Sequence, residues 1–165
     1  MDWIIWLIII ATLFIILYML NLWLGKDNKM PYALQKCILT DRELEFYKIL
    51  KPIADELQLV ICPKVRLADI VKVHNAGKEY QKYFNKIQGK HIDFVLCDSE
   101  MKFKLLLELD DRSHQRKDRQ ANDIFKNELA KHVSLPLLRI KSLNDDLKSK
   151  ISEALTCPVT EQENI

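Results

Sequence analysis

The chain has 165 residues, with 25 Lys and Arg against 23 Asp and Glu, so its formal net charge is only +2. That length allows one folded domain beside a short N-terminal segment, and a charge so close to balance does not by itself indicate a nucleic-acid-binding protein. The sequence contains no Gly-rich phosphate loop, no internal repeat and no Ser/His/Asp spacing. Its four cysteines have no CxxC or Cys/His spacing, which predicts reduced structural thiols in the cytoplasm rather than a zinc site.

Residues 1–25 contain a long apolar run between Asp2 and Lys26, the first two charged side chains. A helix of roughly 20 residues crosses the ~30 Å hydrocarbon layer, so the run predicts a single transmembrane anchor through residues 3–24. A cleaved signal peptide is disfavoured because the run is long and has neither a preceding basic segment nor a following small-x-small cleavage site. Lysines follow the run and Asp2 precedes it, so the positive-inside rule predicts a C-terminal domain in the cytoplasm.

The rest of the chain is predicted to comprise a polar linker, one folded domain and a flexible tail, at residues 26–38, 39–155 and 156–165. The domain begins with an amphipathic helix over Thr40–Leu57, which a Thr40/Glu43 capping box starts. We expect the helix to be bent or divided at its proline. A strand follows over Leu59–Leu67, and its own proline suggests an edge strand or a bulge.

The segment Asp69–Gly89 is polar, and we expect only part of it to be helical. It contains Tyr80, Tyr83 and Phe84, aromatic side chains that could stack on nucleic-acid bases. Packing of a loop against the domain is the default expectation for them.

Two apolar runs with a polar turn between them predict a β-hairpin. Its strands are Ile92–Cys97 and Phe103–Leu109, joined at Asp98–Lys102. Glu108 and Asp110 leave the same face of an extended strand, about 7 Å apart, and Asp93 on the neighbouring strand could face them. Converging carboxylates raise each other's pKa unless a cation lies between them, and all-oxygen ligation suits Mg²⁺ or Mn²⁺. The alternative is that these acids merely end a strand or lie at an edge.

A basic cluster directly follows the hairpin and comprises Arg112, Arg116, Lys117 and Arg119, with His114 among them. Such a cluster beyond a carboxylate site would dock the phosphates of a nucleic acid. A solvated helix start accounts for the same residues almost as well.

The last elements are predicted to be a helix, a short buried strand and a closing helix, at Arg119–Val133, Leu135–Ile140 and Leu143–Leu155. We expect the buried side of the first of these helices to come from Ile124, Phe125, Leu129 and Val133. Asp123 and Lys126 are i, i+3 neighbours on it, a spacing that an ordinary surface ion pair also explains.

The predicted order is that of an α/β domain with a mixed sheet flanked by helices and a right-handed crossover before the last strand. This order and several motifs resemble the PD-(D/E)XK, or restriction-endonuclease-like, superfamily. More closely, the chain is similar to an uncharacterised domain-of-unknown-function branch related to very-short-patch-repair endonucleases. The motifs are LTDRELEFY (39–47), PKVRLADI (63–70), HIDFVLCD (91–98), ELDDRSH (108–114), DIFKNELA (123–130) and LPLLRI (135–140).

The resemblance implies a site for Mg²⁺ or Mn²⁺ that hydrolyses phosphodiester bonds of nucleic acid. It assigns Asp93 and Glu108 to the metal, with the backbone carbonyl of Leu109 as a further ligand. Glu43 and Asp123 match positions that would support the site.

One motif position departs from the superfamily, because Asp110 stands where a lysine is expected. That lysine would orient water and neutralise developing charge, and a carboxylate cannot do the second. Two substitutes remain open. Asp110 could be a further metal ligand, with His114 as base or hydrogen-bond donor, or Lys126 could reach the site from the following helix.

From the sequence we therefore expect a membrane-anchored, divalent-metal-dependent nuclease, with nucleic acid as partner and a membrane protein as a second partner. The alternative is a catalytically inactive nuclease-like module that binds nucleic acid or protein at the membrane. A third reading is a membrane adaptor in which the acids are only structural.

Overall fold

The computed structural model describes residues 2–24, 30–110, 117–142 and 146–156. The chain forms two compact units, Met1–Lys36 and Cys37–Ile165. The first contains helix α1 (Asp2–Leu24), which is long and apolar enough to cross a membrane, with a mean hydropathy of 2.7. A signal sequence near an N-terminus can also be apolar enough to meet this criterion.

The second unit combines a four-stranded sheet with five of the helices in the described residues. The helices are α2 (Asp41–Glu56), α3 (Leu67–Ile70), α4 (Tyr80–Gln88), α5 (Lys117–His132) and α6 (Leu147–Thr156), and a 3₁₀ turn (Gly77–Glu79) precedes α4. The strands are β1 (Val60–Arg66), β2 (His91–Cys97), β3 (Phe103–Leu109) and β4 (Leu137–Ile140). This arrangement confirms the predicted mixed α/β domain.

The strands lie in the order β1-β2-β3-β4. The pairs β1/β2 and β2/β3 are antiparallel, and the pairing of Phe94 with Leu107 confirms the predicted hairpin. Strand β1 is an edge, where Pro63 needs no ladder hydrogen bond on its outer side. The pair β3/β4 is parallel, so the chain must cross over between them, and α5 forms part of that crossover.

The sheet is covered by helices on both faces. Successive side chains of β2 and β3 point to opposite faces and belong to two different apolar clusters. Phe94 and Leu96 belong to the first cluster, which also contains residues of α2 and α6. Val95 and Cys97 belong to the second, with residues of α3, α4 and α5. Two faces buried in this way hold the ends of the strands in a fixed position.

Several predicted details differ. The helix was predicted to be bent or divided at Pro52, and α2 is one continuous helix that contains Pro52, so it is not divided there. The prediction that Ile124 and Val133 lie on the buried side of α5 was wrong, because they are 58% and 39% exposed. The closing helix begins at Leu147, and the predicted tail beyond Thr156 lies outside the described residues.

Candidate functional site

The predicted acids lie at one end of the sheet. Strand β2 begins beside the end of β3 because the two are antiparallel, and β4 ends there because it is parallel to β3. Extending the register from Phe94 and Leu107 by one residue puts Asp93 opposite Glu108. Side chains opposite each other in an antiparallel pair share a face of the sheet, so these two carboxylates are neighbours.

The carboxylate of Asp93 is held by the backbone of the neighbouring strand. Its Oδ2 accepts a hydrogen bond of 3.0 Å from the Leu109 N–H. Its Oδ1 lies 3.7 Å from Lys64 Nζ and 3.9 Å from His91 Nε2. One oxygen is therefore fixed by the backbone, and the other faces two basic side chains.

Glu108 is buried, with 7% of the residue exposed, although it carries a carboxyl group. Lys126 Nζ donates to its Oε1 over 2.6 Å from helix α5. Burial raises the pKa of Glu108 and the negative charge of Asp93 adds to that effect, while the nearby ammonium of Lys126 opposes it. The net pKa is raised, so Glu108 binds a proton more readily than an ordinary glutamate.

Asp110 is bound by arginines from two other elements. Its Oδ1 accepts from Arg139 Nη1 at 3.0 Å, and its backbone carbonyl accepts from Arg42 Nη2 at 2.7 Å. Arg139 also lies 3.2 Å from Asp123 Oδ1 and donates to Asn127 Oδ1 at 3.2 Å. The arginine of β4 thereby ties the end of β3 to helix α5.

Glu43 performs the capping role that the sequence predicts. Thr40 N donates to Glu43 Oε2 at 2.9 Å, and Glu43 N donates to Thr40 Oγ1 at 3.4 Å. The other carboxylate oxygen accepts from Lys64. Burial alone would raise the pKa of Glu43, but the Lys64 and Thr40 hydrogen bonds and the Lys64 charge lower it overall.

Sequence reasoning missed Lys64 and Arg139, which in the described residues each bridge a pair of acids at this end. Lys64 contacts both Glu43 and Asp93, and Arg139 contacts both Asp110 and Asp123. Each is a charged residue inside a short strand, which is a signal that could have found it. Lys64 also has φ 55 within β1, a backbone conformation that is uncommon for a residue with a side chain.

The family model described as "Protein of unknown function (DUF2726)" matches residues 35–157, about three quarters of the chain. The chain belongs to the DUF2726 family. No curated protein and no solved structure matches the chain. The DUF2726 match contains all four strands and therefore the whole candidate site, while α1 lies outside it.

Part of the predicted basic cluster of this DUF2726 domain lies outside the described residues, namely Arg112, His114 and Arg116. Lys117 and Arg119 begin helix α5, but their side chains also lie outside the described part. A phosphate-docking role for this cluster, and a catalytic role for His114, stay predictions.

The acids of the DUF2726 site bear on whether it could accept Mg²⁺. Within the described ranges, no three His, Cys, Asp or Glu side chains are grouped so that they could hold a metal ion. The ligand set Asp93, Glu108 and Asp110 therefore stays a prediction. Mg²⁺ commonly binds through one or two carboxylates and completes its shell with water and substrate phosphates, so the neighbouring carboxylates of Asp93 and Glu108 fit that chemistry.

Proposed function

We propose that this domain is a divalent-metal-dependent nuclease with a restriction-endonuclease-like fold, held at the membrane by α1. The observation that carries the proposal is the Lys126 ammonium, 2.6 Å from the buried carboxylate of Glu108, which lies opposite Asp93. A carboxylate pair with an adjacent ammonium is the set of charges that metal-assisted phosphodiester hydrolysis uses.

The topology supports the same proposal. The domain has a helix, then the antiparallel strands β1, β2 and β3, then a crossover helix and the parallel strand β4. This is the order that the resemblance to the PD-(D/E)XK superfamily implies. Asp93 and Glu108 lie at the open end of the β2–β3 hairpin, away from its turn. Fold likeness alone does not give a function, so the proposal depends on the residues of the site.

Asp93 and Glu108 would hold the metal, which when bound would activate water and neutralise charge on the phosphate. Lys126 would take the place of the missing motif lysine, since its ammonium already contacts Glu108. Asp110 would be structural, because Arg139 binds its carboxylate. Of the two substitutes for the lysine, Lys126 is therefore the one that a described contact supports.

An inactive nuclease-like module is the second candidate, and the ion pairing favours it. Glu43, Asp93, Glu108 and Asp110 each lie within ion-pair distance of a Lys or Arg nitrogen. Acids neutralised in this way need no metal for stability. Such a module would bind nucleic acid or a membrane protein without cleaving it.

The membrane part of the proposal rests on α1 and on the lysines that follow it. A domain in the cytoplasm would have access to nucleic acid and also to the cytoplasmic parts of membrane proteins. Labelling of introduced cysteines from either side of the membrane would test this orientation.

The full chain in detergent should cleave labelled DNA or RNA when Mg²⁺ or Mn²⁺ is added. Glu108→Gln, Asp93→Asn and Lys126→Met should each lower the rate about a hundredfold or more. The matched control is Lys51→Met, which removes an exposed lysine from α2. Mn²⁺ binding without cleavage would support the inactive module, and absence of both would contradict the nuclease proposal.

A further inference from the structure

A groove of about 430 Å³ lies between residues 71–76, helix α4 and helix α5. Apolar side chains of Ile87, Phe125 and Leu129 contribute to its wall. Basic side chains also line it, namely Lys72, His74, Lys86 and His132. Among the described residues that line the groove there is no Asp or Glu.

The lysines beside the groove are regularly spaced. Lys78, Lys82, Lys86 and Lys90 recur every four residues, so those on α4 share one side of the helix. Tyr83 lines the groove and is 44% exposed, with Lys82 Nζ 5.8 Å and Lys86 Nζ 5.7 Å from the centre of its ring. This side of the domain thus offers an exposed aromatic ring near two ammonium groups, of which that of Lys82 also pairs with Glu79 at 3.0 Å.

The aromatic residues of this segment divide into two groups. Phe84 packs against the second apolar cluster, which confirms the default expectation for that residue. Tyr80 and Tyr83 are exposed, with 49% and 44% of their surface open to solvent. Packing of the segment therefore accounts for Phe84 and leaves Tyr83 available to a ligand.

A groove with apolar walls, a basic rim and an accessible tyrosine complements a ligand that has flat rings joined by anionic groups. Single-stranded nucleic acid has this chemistry, since its bases stack on aromatic side chains and its phosphates attract lysines. We propose that this groove binds single-stranded nucleic acid, with a base against Tyr83 and phosphates at Lys72 and Lys86. This inference rests on the proposed function, because the groove would hold the substrate of the proposed nuclease.

Helix α5 connects the groove with the acid pair. Phe125 and Leu129 line the groove, and Lys126 between them donates to Glu108. His132, which also lines the groove, is six residues from Lys126 along the helix, about 9 Å at 1.5 Å per residue. A strand bound in the groove would therefore reach the acid pair within a few nucleotides.

The test measures fluorescence anisotropy of a labelled short oligothymidylate with the full chain in dodecyl maltoside and EDTA, so that binding does not depend on metal. The double variant Lys72→Gln/Lys86→Gln should weaken binding about tenfold or more and lower the salt slope by about 0.7 for each phosphate that a lysine no longer neutralises. Tyr83→Ala should weaken it about tenfold, while Tyr83→Phe should retain binding. Lys48→Gln/Lys51→Gln removes the same charge from exposed positions on α2 and should change affinity less than about twofold.

Equal weakening by the two double variants would overturn the groove assignment, because binding would then follow net charge. Absence of oligonucleotide binding, with binding to phosphatidylglycerol micelles that depends on Lys72 and Lys86, would also overturn it and assign the groove to lipid. Glu108→Gln should bind the oligonucleotide as the wild type does and lose only cleavage. Groove-dependent binding without any cleavage would therefore contradict the nuclease alone, and cleavage unaffected by the groove variants would contradict the groove alone.

Discussion

Two glutamate–lysine pairs lie at the same end of the sheet and behave differently. Glu43 at the start of α2 contacts Lys64 of β1, and Glu108 at the end of β3 contacts Lys126 of α5. Both glutamates are nearly closed to solvent, at 9% and 7% exposure. The pKa of Glu43 is nevertheless lowered, whereas the pKa of Glu108 is raised.

The difference lies in what surrounds each carboxylate. Glu43 accepts hydrogen bonds from Lys64 and from the Thr40 N–H at the start of a helix, and these favour its charged form. For Glu108, burial and the negative charge of neighbouring Asp93 both disfavour the charged form, and the nearby Lys126 only partly offsets them. Glu43 is therefore held in its charged form by the helix cap and Lys64, while Glu108 is an acid whose burial favours the protonated form.

The largest expected effect comes from removing the cation beside Glu108. Lys126→Met leaves a carboxylate that is 9% exposed without its ammonium partner, since the lysine side chain is itself only 14% exposed. We expect the free energy of unfolding to fall by about 3 kcal/mol above neutral pH, because an uncompensated charge stays buried. Urea denaturation of the full chain in detergent measures this.

The control for that experiment is the double variant Lys126→Met/Glu108→Gln. It removes the buried charge together with its partner, so most of the lost stability should return. If Lys126→Met lowers the free energy of unfolding by less than about 1 kcal/mol, the Glu108–Lys126 pair is no stronger than an ordinary surface ion pair. That result would contradict the difference proposed between Glu108 and Glu43.

The pH dependence should have opposite sign for the two glutamates. The folded pKa of Glu108 lies above its usual value of 4.5, so its contribution to stability is full below 4.5 and is lost as the pH rises through the raised value. The folded pKa of Glu43 lies below 4.5, so its contribution is present above 4.5 and is lost as the pH falls through the lowered value. Unfolding free energies of Glu108→Gln and Glu43→Gln, each compared with wild type across pH, should diverge in opposite directions, and parallel profiles would contradict the assignment.

A smaller effect is expected at the cap of α2. Thr40→Ala removes the hydroxyl that accepts from Glu43 N, which should cost about 1 kcal/mol of stability. Thr40→Ser keeps that hydroxyl and serves as the matched control in thermal unfolding. If both variants unfold together, the capping box does not hold Glu43 in place.

The smallest effect is expected from an exposed ion pair on the same helix. Lys51 and Asp55 have side chains that are 50% and 57% exposed. Lys51→Gln should change the free energy of unfolding by less than about 0.5 kcal/mol, because water screens such a pair. A loss comparable to that of Lys126→Met would show that burial does not explain the difference between the pairs.

The sequence predicted the hairpin and the α2 cap because both depend on residues close along the chain. A polar turn between apolar runs specifies the pairing of β2 with β3, and Thr40 with Glu43 specifies a helix start at a spacing of three residues. The neighbourhood of Asp93 and Glu108 followed from the hairpin register. These are local patterns with few alternatives.

The cations of the site were harder to assign, because their partners are distant in sequence. Arg42 and Asp110 are 68 positions apart, and Arg139 and Asp110 are 29 apart. The buried side of α5 likewise depends on how the helix lies on the sheet, which buries Ala130 and leaves Ile124 exposed. Periodicity gives the spacing of a stripe on a helix, and only tertiary packing selects between neighbouring stripes.

The position of Arg139 near the end of the folded domain affects when its ion pairs can form during synthesis of the chain. It binds Asp110 and Asp123 from the last strand, so a nascent chain that ends before residue 139 lacks both of these ion pairs. The N-terminal apolar helix leaves the ribosome long before that residue does, because domains emerge in order of synthesis. The ion pairs of Asp110 and Asp123 with Arg139 can therefore form only after the last strand has been synthesised, when the apolar helix is already available to a membrane.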